Sequence, residues 1–184
     1  MHDKFLTLVK VLDEYEIPIH GLKEGIHNYE YQIGSGFFEH FENPDLPGGD
    51  IVLDLTLKKG PQFIELDFHI SGTLRLICDR CLELFDYELE VTEKMFLRFG
   101  DRFEELDDNV IVIPREESRI NIAQYIYEFA ALSIPYKKVH PEADENNPGC
   151  DPVMLKKLNE LKVEKSNLKI DTIDPRWDKL KNLN

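Results

Sequence analysis

The chain has 184 residues, 42% of them hydrophobic, and a net charge of −14 from 22 basic and 36 acidic residues. That length suits one domain, or one domain with an appendage, and no run of about 18 apolar residues is present to cross a membrane. The acidity disfavours non-specific nucleic-acid binding, because the mean field repels phosphate; it leaves room for a local basic patch and favours a basic partner. Met1 to Lys10 carries acidic Asp3 and lacks the charged start, apolar centre and cleavage site of a signal peptide. A cytoplasmic protein with reduced cysteines is therefore expected.

Along the chain, Phe5, Leu6, Leu8, Val9 and Val11 suggest a first strand, and Tyr29, Tyr31 and Ile33 alternate with polar residues as in a half-buried strand. Asn43-Pro44-Asp45 and Pro47-Gly48-Gly49 read as a loop. From residue 51 to 99 the alternation is sustained. Ile51, Leu53, Leu55 and Leu57 form one set, and Gly60-Pro61 marks a turn. Ile64, Leu66, Phe68 and Ile70 form the next. Ser71-Gly72 then reads as a turn or bulge before Leu74, Leu76 and Cys78. Phe85, Tyr87, Leu89 and Val91 make a further set, and Met95, Leu97 and Phe99 the last. Period two over consecutive segments predicts an antiparallel meander with one solvated face.

Residues 100–109 read as an acidic loop, and Val110 to Ile113 as a short strand ended by Pro114. A helix follows, with Asn121 as its cap and Gln124 completing a capping box; Ile122, Ile126 and Phe129 lie near one face, and Pro135 ends it. Residues 137–150 read as an exposed loop. Asp151-Pro152 restarts a helix with proline at its first position and an apolar stripe of Met154, Leu155, Leu158 and Leu161. Asp174-Pro175 opens a last short helix carrying Trp177, Leu180 and Leu183.

The chemistry-bearing motif is Cys78-Asp79-Arg80-Cys81, two of the three cysteines at a strand-to-turn junction. Such a pair brings two sulfurs within reach of one metal ion or one disulfide. Cys78, Cys81, His140 and Cys150 supply the count for one Cys₃His zinc site. The alternative is packing: Cys78 beside Leu74 and Leu76, Cys81 at a turn, each acting as a small apolar residue. A thioredoxin-like role is disfavoured, because that motif opens a helix in a βαβ context. Arg75, Arg80, Lys137 and Lys138 surround these residues and are candidates for phosphate contact, or ordinary surface charge. Tyr29, Tyr31, Tyr125 and Tyr127 are candidates for base stacking, or core and rim residues. No nucleophile elbow, Walker loop, dinucleotide-binding glycine pattern or His-Glu-x-x-His helix is present, so an enzyme is not expected, nor a small-molecule substrate.

Three features in order then carry a resemblance. They are Gly72 to Phe85 with its Cys-Asp-Arg-Cys turn; Ala131-Leu132-Ser133-Ile134-Pro135 leading to Val139-His140 and Cys150; and the tail Asp174-Pro175-Arg176-Trp177-Asp178-Lys179-Leu180. Together they resemble the YceD-like family, the large ribosomal RNA subunit accumulation proteins of bacteria and plastids. The resemblance implies a non-enzymatic role in making or maintaining 23S ribosomal RNA and the large subunit. Its expected partners are 23S rRNA or its precursor, or a large-subunit ribosomal protein. It also implies that Cys78, Arg80, Cys81, His140 and Cys150 are shared positions, and the recurrence of four potential ligands as a set strengthens the reading of one structural zinc. This chain departs from many relatives in the longer, more acidic segment between His140 and Cys150, with Glu142, Asp144 and Glu145.

The expected fold class is α+β: a mainly antiparallel β-meander of about six to eight strands with C-terminal helices packed on it. Residues 1–150 form the YceD-like domain and 151–184 a helical tail, in which Trp177 and Leu180 either close the core or dock in a partner's groove. Two other functions remain open: a protein-only adaptor that chaperones a basic ribosomal protein, and a zinc- or redox-responsive switch at Cys78 and Cys81.

Overall fold

A computed structural model describes residues 12–141 and 149–162. Eight strands are described. A six-stranded sheet has the order β2-β3-β4-β5-β7-β6, and β1 (Glu16–Pro18) pairs separately with β8 (Arg119–Asn121). The meander runs through β2 (Gly25–Ile33), β3 (Gly48–Lys59), β4 (Phe63–Ile77) and β5 (Leu84–Gly100), each antiparallel to the last. The period-two pattern has its expected cause. Leu53, Leu55 and Leu57 on β3 and Leu66, Phe68 and Ile70 on β4 are all at most 1% exposed, and the residues between them face the other side. No helix among the described residues is long and apolar enough to cross a membrane.

Two long strands replace what the sequence divides into four. Ser71-Gly72 makes no turn; β4 passes straight through it, opposite Ile51 of β3 and Leu89 of β5. Gly72 has φ +139°, and a Cβ there would lie 2.4 Å from the Asp50 carbonyl oxygen. Glycine is thus required by the close approach of β3, not by chain reversal. Similarly, Phe85 to Val91 and Met95 to Phe99 belong to one 17-residue β5 with unbroken parity.

The acidic segment after residue 100 is also more ordered than its composition suggests. Glu104–Asp107 forms β6, wholly exposed, at the sheet edge. Val110–Pro114 (β7) pairs antiparallel with β6 and inserts between it and β5, parallel to β5. The pure meander therefore ends at β5. Insertion of β7 brings Ile111 beside Leu97 and carries Ile111 and Ile113 into the core, at 2% and 4% exposure.

One face of the sheet is covered. Helix α1 (Ser35–Phe38) and the 3₁₀ turn Glu39–Phe41 bring Phe37 and Phe38 down on it. Helix α2 (Ala123–Leu132) buries Ala123, Ile126 and Ala130 and sets Phe129 edge-on against Phe68, ring centres 5.2 Å apart. Ile122, not the expected Asn121, holds the cap position; Asn121 Oδ1 accepts the Ala123 N–H at 2.9 Å from one residue earlier, and Gln124 donates to Glu128 on its own helix instead of closing a capping box. Helix α3 (Pro152–Glu160) differs from the expectation of a packed helix. It has no buried residue; Met154 is half-buried against the core and Leu158 is exposed. The opposite sheet face is polar, and at its centre Lys58 and Lys94 each bridge Glu65 and Asp67 at 2.6–3.2 Å. The strand expected at Phe5 to Val11 and the helix carrying Trp177, Leu180 and Leu183 lie outside the described residues.

Candidate metal centre

The hairpin between β4 and β5 ends in the Cys78–Cys81 turn. The Cys78 N–H donates to the Glu83 carbonyl at 2.9 Å, and the Leu82 N–H to the Cys78 carbonyl at 2.9 Å. Reversal in so few residues puts Leu82 in the left-handed region, φ +65°, where a non-glycine residue costs about 1–2 kcal/mol. The tightness also turns backbone donors onto sulfur, and the Arg80 N–H meets Cys78 Sγ at 3.4 Å. Cys78 and Cys81 are 0% and 3% exposed.

The other two potential ligands arrive from well down the chain. After α2, residues 134–140 return past the hairpin tip and are clamped there. The Asp79 N–H donates to the Lys138 carbonyl at 2.7 Å, and the Lys138 N–H to Asp79 Oδ2 at 2.7 Å. His140 follows two residues later, its ring centre 5.0 Å from that of Phe85. Cys150 precedes α3, where Asp151 caps the helix by accepting the Val153 and Met154 N–H groups at 3.0 and 3.3 Å. Gly149, at φ +70°, supplies the bend.

The sulfur and Nδ1 atoms of Cys78, Cys81, His140 and Cys150 all lie within 4.8 Å of one another. Cys78 Sγ is 3.7 Å from Cys150 Sγ, and His140 Nδ1 is 3.4 Å from Cys81 Sγ and 3.6 Å from Cys150 Sγ. A tetrahedral zinc with Zn–S of ~2.3 Å and Zn–N of ~2.0 Å has edges of ~3.8 Å between sulfurs and ~3.6 Å between sulfur and nitrogen. The three distances fit those edges, and the one between sulfurs is too long for a disulfide of about 2.05 Å. The donor set, three thiols and an imidazole, could hold a metal ion of that kind.

The electrostatics are suited to the same task. Burial pushes the Cys78 thiol up, but the N–H groups of Cys81, Arg80 and His140, with the His140 side chain, outweigh it and bring it down to about 6. Cys150 moves the other way. Burial, then its contacts with Cys78 and Cys81, raise its thiol above the usual range, as crowding of sulfurs without a cation must.

The basic candidates fare unevenly. Arg75, Arg80 and Lys137 are exposed. Lys138 is committed elsewhere: its ammonium sits 2.7 Å from Asp45 Oδ1, with its side chain 14% exposed. The tyrosines are rim residues. Tyr127 stacks on Phe41 at 3.8 Å and accepts from Asn43 Nδ2 at 2.8 Å, while Tyr31 leans on Tyr15. Sequence reasoning missed Asp79 and Phe85 as supports of the His140 position. Asp79 lies inside the motif, but its partner is 59 residues away.

A family model described as "Large ribosomal RNA subunit accumulation protein YceD" matches residues 66–184, which include all four of these side chains. No curated protein and no solved structure matches the chain.

Proposed function

The chain belongs to the YceD family, and from that membership we propose that it serves the accumulation of large-subunit ribosomal RNA as a non-catalytic factor that binds precursor 23S rRNA. In this reading its C-terminal segment is fastened to the sheet by one structural zinc. The observation that carries the zinc assignment is the convergence of four ligand atoms within 4.8 Å. Four protein ligands leave no open position for a substrate or an attacking water, which is the arrangement of a structural site. Cys78 and Cys81, from one hairpin tip, would hold the ion against His140 and Cys150, which flank the segment leading to α3.

Elemental analysis of the reduced, untagged protein tests the zinc. One zinc per chain, lost in Cys81→Ser, is expected; metal-free protein overturns the clasp. Binding of 23S rRNA fragments in a salt titration tests the RNA reading, and no binding at low salt would remove direct recognition. The net charge of −14 favours a second reading, an adaptor for a basic ribosomal protein. That reading predicts a stable complex with such a protein after nuclease treatment.

A further inference from the structure

At the end of the sheet opposite the cysteine hairpin, the chain carries a second feature that neither the clasp nor the family description uses. The first residue of β4, Phe63, pairs across the ladder with Arg98 of β5. Around this pair lies an open groove of ≈ 770 Å³, whose walls include Phe63, Phe96, Phe99, Val110, Arg98 and Arg115. That volume lies within the ~300–1,000 Å³ typical of ligand clefts. Phe63 is 47% exposed although it is a large apolar residue in a strand, and Phe96 and Phe99 are half-buried.

The charge is as unusual as the aromatic content. Acidic residues outnumber basic ones in this chain, yet two arginines stand exposed at the groove. Among the described residues the arginine ion pairs are Arg102 with Glu104 and Arg119 with Glu16; Arg98 and Arg115 have none. Glu65, the cross-strand neighbour of Phe96, is already held by Lys58 and Lys94. The hollow on the other side of Arg115 contains Glu24 and Glu117 together with Lys59, but neither carboxylate pairs with the guanidinium.

Phe63 and Phe96, with Phe99 at the margin, and two unpaired guanidinium groups on one concave surface match the needs of one ligand class. The geometry points to a binding site for single-stranded RNA, with bases stacked on Phe63 and its aromatic neighbours and the phosphates held by Arg98 and Arg115. Aromatic rings accept any base by its face, and guanidinium groups take phosphate oxygens in a bidentate fork. A duplex would not use the groove, because its base faces are already stacked. Two free guanidinium groups beside aromatic rings also reconcile RNA binding at this groove with an acidic chain. A mean field that repels phosphate can be overcome locally where free arginine and aromatic rings coincide.

This inference rests on the RNA-binding reading and narrows it to a strand type and a place. The test is fluorescence-anisotropy titration of full-length protein with an unstructured oligouridylate, against a hairpin duplex of equal length. The proteins compared are the wild type, Phe63→Ser, Arg98→Ala, Arg115→Ala and the charge-matched control Lys156→Ala. All four substitutions are at exposed positions. Wild type is expected to prefer the single strand, with log affinity against log salt falling at a slope of about −1.4 for two phosphates. Each arginine variant should reduce that slope by about 0.7. Phe63→Ser should weaken binding roughly tenfold at unchanged slope, and Lys156→Ala should match wild type. Wild-type affinity in all three groove variants would overturn the groove while leaving RNA binding intact. Failure of the wild type to bind any RNA would overturn both readings. A wild-type dimer that the groove variants dissociate, with RNA binding unaltered, would assign the groove to a second copy of the chain and overturn the RNA site.

Discussion

Asp79 and Lys138 hold each other by two hydrogen bonds of 2.7 Å, one through each backbone N–H, so the tip of the β4–β5 hairpin and the segment leading to His140 are fixed to one another. This is a support for a ligand, one step removed from the ligand itself. Asp79→Ala removes the carboxylate and leaves His140 to be ordered by Phe85 and the one remaining bond, from the Asp79 N–H to the Lys138 carbonyl. Zinc affinity, measured by competition with a chromophoric chelator, should fall about 10- to 100-fold, while Asp79→Asn, which keeps an acceptor oxygen, should recover most of it. Equal affinity in all three proteins would show that the clamp does not position His140.

Helix α3 buries none of its own side chains, so its attachment depends on what precedes it. Cys150→Ser should leave the sheet folded and release the helix. Hydrogen exchange is expected to lose protection across 153–160 while β4 and β5 keep theirs. Unchanged protection in the helix would show that Met154 packing alone retains it.

In the reduced, metal-free protein the Cys78 thiol, brought down to about 6, should ionise well before an ordinary thiol. Its folded value lies below the unfolded value of about 8.5. Ionised Cys78 therefore contributes its full stabilisation above about pH 8.5 and loses it as pH falls through 6. Ultraviolet thiolate absorbance should show a first step near 6, and the denaturation midpoint should climb between pH 6 and 8.5. A single absorbance step at 8.5 or higher would mean that the surrounding N–H groups do not stabilise this sulfur.

Gly72→Ala tests why β4 is continuous. The added Cβ would strike the Asp50 carbonyl at 2.4 Å and the Ile51 Cα at 2.7 Å, in a backbone conformation that L-residues avoid. A loss of about 2–4 kcal/mol in chemical denaturation is expected from strain and overpacking together. Ser71→Ala, one residue away, should change stability by less than about 0.5 kcal/mol.

How much of this was legible in the sequence depends on the range of each interaction. Alternation along β3, β4 and β5 is a local signal, and the meander could be read from it. Cys78 and Cys81 are three residues apart, and their shared turn is also local. The arrival of His140 and Cys150 is different. It is set by where α2 ends and by the Asp79–Lys138 clamp, and the His140-to-Cys150 spacing encodes neither. Ser71-Gly72 carries the composition of a turn, but its conformation is dictated by a neighbouring strand. Glu104–Asp107 has almost no strand propensity and is extended because β7 offers it an edge. One cation near the cysteines is a related case: Lys138 looks free in sequence, and its partner Asp45 lies 93 residues earlier. Phe63 and Arg98 become neighbours only through the ladder register.

The 72 residues that separate Cys78 from Cys150 give the cysteine cluster a role in the order of folding. An ion gripped by both residues closes a large ring, and holding such a ring shut in an unfolded chain costs about 4 kcal/mol of entropy. The denatured protein offers little more than an isolated two-thiol turn, so tight capture has to wait until the sheet has formed and the segment after α2 has come back across it. With the proposed zinc, metal uptake would be the last act of maturation, and a chain carrying its ion would be one whose two distant halves have already met.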